Sequence, residues 1–448
     1  MISYDLLATL CSFLVLIYAY DRAKKRKCRN LPLPPGPTKR FLVGNLFDVP
    51  KESPWIRYHE LCREHKTDIL HLDMMGTSLI ILDTAEAAME LLEKRSAIYS
   101  GRPEAPMITL IGCEKSMSFL DYERKFAHQA FHLTASKKFR PYTLKAAHSF
   151  LRSMRTKPDK VVENLRYMAG ESVISITYGL DLLPENDPYI QLNEAAVKPV
   201  FLSAMPGRFL IDFIPVLKYV LAWMPGAAFK RKAKTSTAIV SCILGHLTRP
   251  DIVTRAQVDI DAIVPFGELP TFEFEERLPL ITAICMEALR WRVITPIGMP
   301  HVVAVDDVYK GYTIPKGSIV VANVWALLHD EEIYLDPSEF KPERFMKDGK
   351  INKEVRDPAH AAFGFGRQIC PGQFLAFSSM WITVASLLAA FDITKAVDDL
   401  ENIIEPDYEH IPGLVCLPKP FKCSMKPRSR LHEEAIKVTD GEEVQFEY

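Results

Sequence analysis

Eleven residues near one end constrain this chain more than any others: Ala362-Phe363-Gly364-Phe365-Gly366-Arg367-Gln368-Ile369-Cys370-Pro371-Gly372. Gly364 and Gly366 allow the backbone to turn through positive φ and to lie flat against a large planar ligand. Behind Cys370 comes an apolar run, with Phe374, Phe377, Trp381, Val384, Ala385 and Leu388 at helical spacing. That stripe predicts a helix packed into a core. Pro371 suits its first position, where a missing N–H costs nothing. The unpaired amides and positive end of the helix favour a thiolate over a thiol. An electron-rich thiolate is what an iron porphyrin needs as its fifth ligand, because its donation favours O–O cleavage. A structural cysteine behind a turn fits the same residues taken alone.

Two further patterns lie upstream. Leu280, Ile281, Ile284, Cys285, Ala288 and Leu289 recur with the helical period, predicting a core-facing helix. It carries Glu287 and Arg290, an i,i+3 pair whose side chains can meet. Fifty residues on comes Lys341-Pro342-Glu343-Arg344-Phe345.

Together these motifs resemble the cytochrome P-450 family, the haem-thiolate monooxygenases. Phe363, Gly366, Cys370 and Gly372 match the family's haem loop; its Arg or His position holds Gln368, with Arg367 alongside. The resemblance implies a mainly α fold with a small β region. It also implies haem b with Cys370 as axial metal ligand, and cofactor contacts from Phe363, Gly364, Gly366, Arg367 and Gly372. Glu287, Arg290 and Arg344 become a buried triad propping the cysteine loop. Ile294, Ile297 and Met299 would line the substrate pocket, and His301 would face a haem propionate. Leu120 to Phe131 resembles the helix whose arginine touches a propionate, which makes Arg124 the candidate; an exposed helix arginine fits equally well. Met107, Ile108, Leu110 and Ile111 would wall the pocket, and the apolar stretch Pro199 to Pro225 would lid it. The wording from Phe363 to Lys395 is most similar to fungal members of secondary metabolism, some grouped with an oxidoreductase of O-methylsterigmatocystin.

Charge and cysteine usage narrow the partners. A net charge of −1 over 448 residues, with no basic stripe through the body, excludes a nucleic-acid binder. Nine cysteines without a CxxC pair fit reduced thiols rather than a disulfide scaffold or a zinc site. Met1 to Tyr20 is mainly apolar and, as a helix about 30 Å long, reaches across a hydrocarbon core. Arg22, Lys24, Lys25, Arg26, Lys27 and Arg29 follow it, so it reads as an uncleaved anchor with the body on the cytosolic side. Leu31 to Pro37 is a stiff Pro-rich spacer. Ile69 to Met74 and Ser78 to Leu82 alternate around Gly76, a hairpin signal, and Val308 to Ile314 and Ser318 to Ala322 flank Pro315-Lys316-Gly317, a turn between short strands. The expected organisation is a transmembrane anchor over 1–21, a basic and Pro-rich hinge over 22–37, the haem-binding domain over 38–427 and a charged, frayed tail over 428–448. The setting implied is the endoplasmic reticulum membrane, with electrons from an NADPH-dependent diflavin reductase, O2 as co-substrate and a hydrophobic small molecule as substrate.

One element is missing. The family's long central helix carries an acid followed by a threonine, which hold water and deliver protons. Counting back from Pro250, those positions fall at Ala233 and Lys234; Thr235 is one residue late, about 100° around a helix. We read this as a block lost between Lys234 and Thr235, a P-450 fold truncated near residue 234. Two rival readings stand beside the monooxygenase: a haem-binding but catalytically impaired remnant, and a non-enzymatic membrane-anchored helical protein.

Overall fold

The computed structural model describes residues 31–50, 52–103, 127–183, 187–191, 237–411, 415–419 and 421–440. The anchor and basic run, Met107 to Ile111, Leu120, Arg124, the apolar stretch Pro199 to Pro225 and Thr235 lie outside them. The chain divides into two compact units: Met1–Pro103 with Pro300–Asn323, and Glu104–Met299 with Val324–Tyr448.

The first unit is built on a four-stranded sheet. Helix α1 (Pro54–Glu64) starts with proline in its first turn and buries Trp55, Tyr58, Leu61 and Cys62, one face at helical spacing. Strands β1 (Ile69–Met74) and β2 (Thr77–Leu82) form the expected antiparallel hairpin. Its turn, Met75-Gly76, has φ of 51° and 96°, the two left-handed positions that suit the twist of flanking strands. Strand β3 (His301–Val302) ends the sheet.

The sequence suggested one strand over 308–314 turning at Pro315 into 318–322. The structure corrects this. Strands β4 (Asp307–Tyr309) and β5 (Tyr312–Ile314) make their own hairpin at Lys310-Gly311, where φ is 47° and 84°. The Pro315 turn then leads into β6 (Ile319–Ala322), which runs parallel to β2 and antiparallel to β3. Two positive-φ positions in a row set the hairpin; Pro315 only separates two sheets.

The second unit is helical. Helices α2 (Arg140–Thr156) and α3 (Val161–Tyr178) pack on each other, and α4 (Thr237–Thr248), α5 (Pro250–Asp261) and α6 (Pro279–Trp291) follow. All of them also contact α7 (Gln373–Ala390), α3 through Met168, whose Sδ accepts from Thr383 Oγ1 at 3.4 Å. From Met380 to Ala390 every residue of α7 is buried, so the expected stripe is in fact a helix enclosed on all sides. Among the described residues it is the one helix long and apolar enough to cross a membrane, and most of it lies inside the unit.

Strand β7 (Phe391–Val397) leaves α7 and pairs with β8 (Ile403–Ile404) and β9 (Cys423–Pro427). Over its described residues, up to 440, the tail is ordered rather than frayed: Arg430–Val438 forms helix α8. Ser429 caps it, its Oγ accepting from the His432 N–H at 3.3 Å. Ile436 and His432 are buried, and Arg428 grips both carboxylate oxygens of Asp261 at 2.8 and 2.6 Å. Two inward residues four apart gave a docking face that the surrounding charges obscured.

Candidate functional site

Glu287 and Arg290 lie on α6 with no exposed surface, and Arg344 keeps 9% of its side chain exposed. Arg290 Nε and Nη2 donate to the two Glu287 oxygens at 2.8 Å each. The Lys341 backbone N–H reaches Glu287 Oε1 at 2.8 Å and Arg344 Nε the same atom at 3.3 Å. Arg290 also donates to the carbonyls of Leu328, Pro337 and Glu339, and Arg344 Nη1 to Leu335 at 2.6 Å. One carboxylate thus ties α6 to the irregular chain between Leu328 and Phe345. Every donor pointed inward meets an oxygen, the condition under which a buried charge cluster is tolerable.

Arg249, just before α5, holds the same turn from the other side. Its Nη1 donates to the Phe340 carbonyl at 3.1 Å and its Nη2 pairs with Glu343 at 2.5 Å. Sequence reasoning missed it. Its only signal was a cation immediately ahead of a helix-starting proline.

Helix α6 also packs against the short helix Ala359–Ala362, which delivers the cysteine loop. Gly364 and Gly366 have φ of 82° and 53°, the left-handed conformations that glycine alone adopts without strain. The Cys370 N–H donates to the Phe363 carbonyl at 2.7 Å and closes the loop. Phe365 and Gln368 are buried, Arg367 is exposed, and Phe363 is half-buried. Pro371 sits just outside α7 rather than at its first position, because Gly372 is the capping residue and accepts from the Ala376 N–H at 2.9 Å. Cys370 therefore stands two residues ahead of the helix cap, near its positive end.

Cys370 is exposed, whereas Cys62, Cys242, Cys285, Cys416 and Cys423 are buried. Burial pushes the Cys423 thiol up to about 12 and raises Cys62 and Cys285 further; Cys285 is also hydrogen-bonded to Cys242. Those thiols stay protonated and inert. Among the described residues no cluster of three His, Cys, Asp or Glu side chains could hold a bare metal ion. A lone presented cysteine on a glycine-bent loop suits a metal that brings its other donors in a planar ring, so the residues fit haem.

From α6 the chain runs through Ile294, Ile297 and Met299, all half-buried. This strap is held by the Cys416 N–H on the Ile294 carbonyl at 2.7 Å and the Trp325 N–H on the Pro296 carbonyl at 3.0 Å. In the first unit His301 is buried in β3, with Nδ1 2.6 Å from the Tyr99 carbonyl oxygen. A cleft of about 210 Å³ beside Phe363, lined also by Phe374, Phe377, Lys137 and Arg140, is smaller than typical small-molecule pockets.

The family model for cytochrome P450 matches residues 34–234 and 232–425. The chain belongs to the cytochrome P450 family. It is 37% identical to cytochrome P450 monooxygenase 98 of Postia placenta, over 97% of this chain and 98% of that protein. It is 35% identical to a tryptamine 4-monooxygenase of Psilocybe cyanescens (96% and 99% covered) and to cytochrome P450 monooxygenase ple1 of Rhodocybe pseudopiperita (94% and 94%). As a P450 monooxygenase it carries haem with a cysteine thiolate as axial ligand and uses O2, a redox partner and a small-molecule substrate. The two matched stretches meet at residues 232–234. An alignment of 512 positions to a chain of 448 residues leaves at least 64 without a counterpart here, so this P450 is internally short.

Proposed function

We propose that this cytochrome P450 inserts one oxygen atom from O2 into a hydrophobic small molecule of fungal secondary metabolism, with Cys370 as the axial ligand. The observation that carries this reading is the contrast between Cys370, exposed on its glycine-bent loop, and the other described cysteines, all buried. When bound, the haem supplies activation of O2. The chain's own residues then divide the work. Gly364, Gly366 and Gly372 would let backbone approach the ring, and Phe363 and Arg367 would help hold it. The triad of Glu287, Arg290 and Arg344 holds the loop in place. Ile294, Ile297 and Met299 exclude water from the substrate. Family likeness makes Arg124 and His301 the proposed propionate partners. Electrons come from NADPH through a membrane-bound diflavin reductase, with residues 1–21 anchoring the chain in the endoplasmic reticulum membrane.

A second reading, a haem-binding chain impaired in catalysis, is favoured by the break at 232–234, where the acid and threonine of the central helix would lie. A reduced sample under carbon monoxide tests the thiolate. A strongly red-shifted Soret band is expected, lost in Cys370→Ala and kept in Cys285→Ala; equal loss in both would overturn the assignment. Turnover with a reductase separates the two readings, since NADPH consumed as peroxide without oxygenated product supports the second. A transcript around codon 234 that restores an acid-threonine turn would decide for the first.

A further inference from the structure

Arg290 and Trp291 end α6 and Arg292 follows as its cap; among the described residues only the first two have partners for all their enclosed polar atoms. Arg290 is fully engaged by Glu287 and three carbonyls, and Trp291 Nε1 donates to the Ser338 carbonyl at 2.7 Å. Arg292 is half-buried, and its Nε is enclosed with no hydrogen-bond partner among the described residues. Its guanidinium lies over the Trp291 ring, 4.3 Å from the centroid. Among the described residues no carboxylate pairs with it, and burial alone pulls its pKa below the usual arginine value.

With Nε enclosed and unbonded, the guanidinium is partly withdrawn from water, a cost to the folded state that no described counter-charge offsets. The aromatic face beneath fixes its plane and recovers part of that cost. What such a fork lacks is a planar oxyanion, which it binds through two parallel hydrogen bonds. The residues that follow, Val293, Ile294, Ile297 and Met299, are apolar and buried or half-buried, so the complementary molecule is mainly apolar with one acidic group.

We propose that Arg292 is a carboxylate-binding residue at the end of the Ile294–Met299 strap. It takes the acid group of an otherwise apolar ligand, whether that acid belongs to the substrate or to a haem propionate. This rests on the strap being the substrate wall.

The test compares 4-phenylbutyrate with 4-phenylbutanamide, the same shape without charge. Binding is measured by equilibrium dialysis to the full chain, with and without haemin, in wild type, Arg292→Gln and Arg292→Lys. A substrate site predicts roughly tenfold or tighter binding of the acid over the amide in wild type, the worth of a charge-assisted hydrogen bond. That ratio falls to about one in Arg292→Gln and is partly kept in Arg292→Lys. A propionate site predicts instead an acid-to-amide ratio near one in both, with roughly tenfold faster loss of haem from Arg292→Gln. Without haem or ligand, Arg292→Gln should melt no lower than wild type, because an unpaired charge has been removed. If neither ratio nor haem retention moves, or if Arg292→Gln alone melts well below wild type and Arg292→Lys restores it, the assignment falls. A wild type that binds no haemin defeats the monooxygenase reading instead, while the acid-to-amide ratio of the haem-free chain still judges Arg292.

Discussion

Replacing Glu287 with glutamine keeps the shape and removes one charge from a site with no exposed surface. The carboxylate now accepts from Arg290 Nε and Nη2, from the Lys341 N–H and from Arg344 Nε, all within 3.3 Å. An amide replaces one acceptor with a donor, which must then face a guanidinium N–H. Two arginines are left sharing no counter-ion, one of them fully buried. Breaking a buried pair in this way costs roughly 3–5 kcal/mol, a large part of the roughly 5–15 kcal/mol that holds a domain together. The control is Arg57→Ala, which removes exposed pairs to Glu60 at 3.0 Å and Glu64 at 2.7 Å and should cost under about 1 kcal/mol. Urea unfolding of the full chain, followed by far-UV circular dichroism and by tryptophan fluorescence, reads both. Because α6 packs on Ala359–Ala362, Glu287→Gln should also lose haem on gel filtration while Arg57→Ala keeps it. A Glu287→Gln variant as stable as the control would refute the view that this charge holds the loop.

Two more outcomes follow from α4. His246 is fully buried, neither ring nitrogen has a hydrogen-bond partner among the described residues, and burial lowers its pKa from 6.5 to about 4. The unfolded chain therefore takes up a proton before the folded one does, so stability falls as pH drops from about 6.5 to about 4 and levels off below. The total is about 3 kcal/mol. His246→Leu should flatten this slope in urea midpoints taken at pH 7 and pH 4.5, and parallel slopes would contradict it. Gly245→Ala would place a Cβ 2.6–2.8 Å from three atoms of the Phe340 ring, which is itself pinned edge-on against Trp291. Overpacking of about 1–3 kcal/mol should outweigh the roughly 1 kcal/mol gained in helix propensity, so thermal unfolding should come earlier.

Local patterns were the readable part of this sequence. The β1–β2 hairpin announced itself through alternation around Gly76, and α6 and α7 through apolar spacing. Periodicity could not say how completely an element is enclosed. The last turns of α7 are buried on every face because α2, α3, α4, α5, α6 and α8 surround them, information held in six distant segments. The same limit hid Arg249. Its partners, Phe340 and Glu343, lie some ninety residues away, and only the fold brings them within 3.1 Å. The β4–β5 hairpin was misread for another reason: Lys310 adopts φ of 47°, which a lysine seldom signals, while the nearby proline gave a louder but less relevant mark.

The short central region shows what the fold requires and what the chemistry requires. Helix α4 begins at Thr237, just past the point where the two family matches meet. Its Val240, Cys242, Ile243, Leu244 and Leu247 are all buried in the cluster shared with α6 and α7. These residues sit C-terminal to the break, so the half of the central helix that packs against the triad and the cysteine-bearing helix is kept. We propose that the block lost at the break held the acid and threonine that handle water and protons, outside the apolar cluster that α4 keeps. Core packing therefore survives the loss, since stability follows buried apolar area, whereas proton delivery depends on a few side chains at fixed angles. A chain shortened at this point is expected to fold and hold haem more readily than it turns over. Restoring the missing block should accordingly raise product formed per NADPH consumed while leaving the carbon monoxide band and the urea midpoint nearly unchanged. A restored chain whose midpoint rose sharply would show instead that the core had been incomplete.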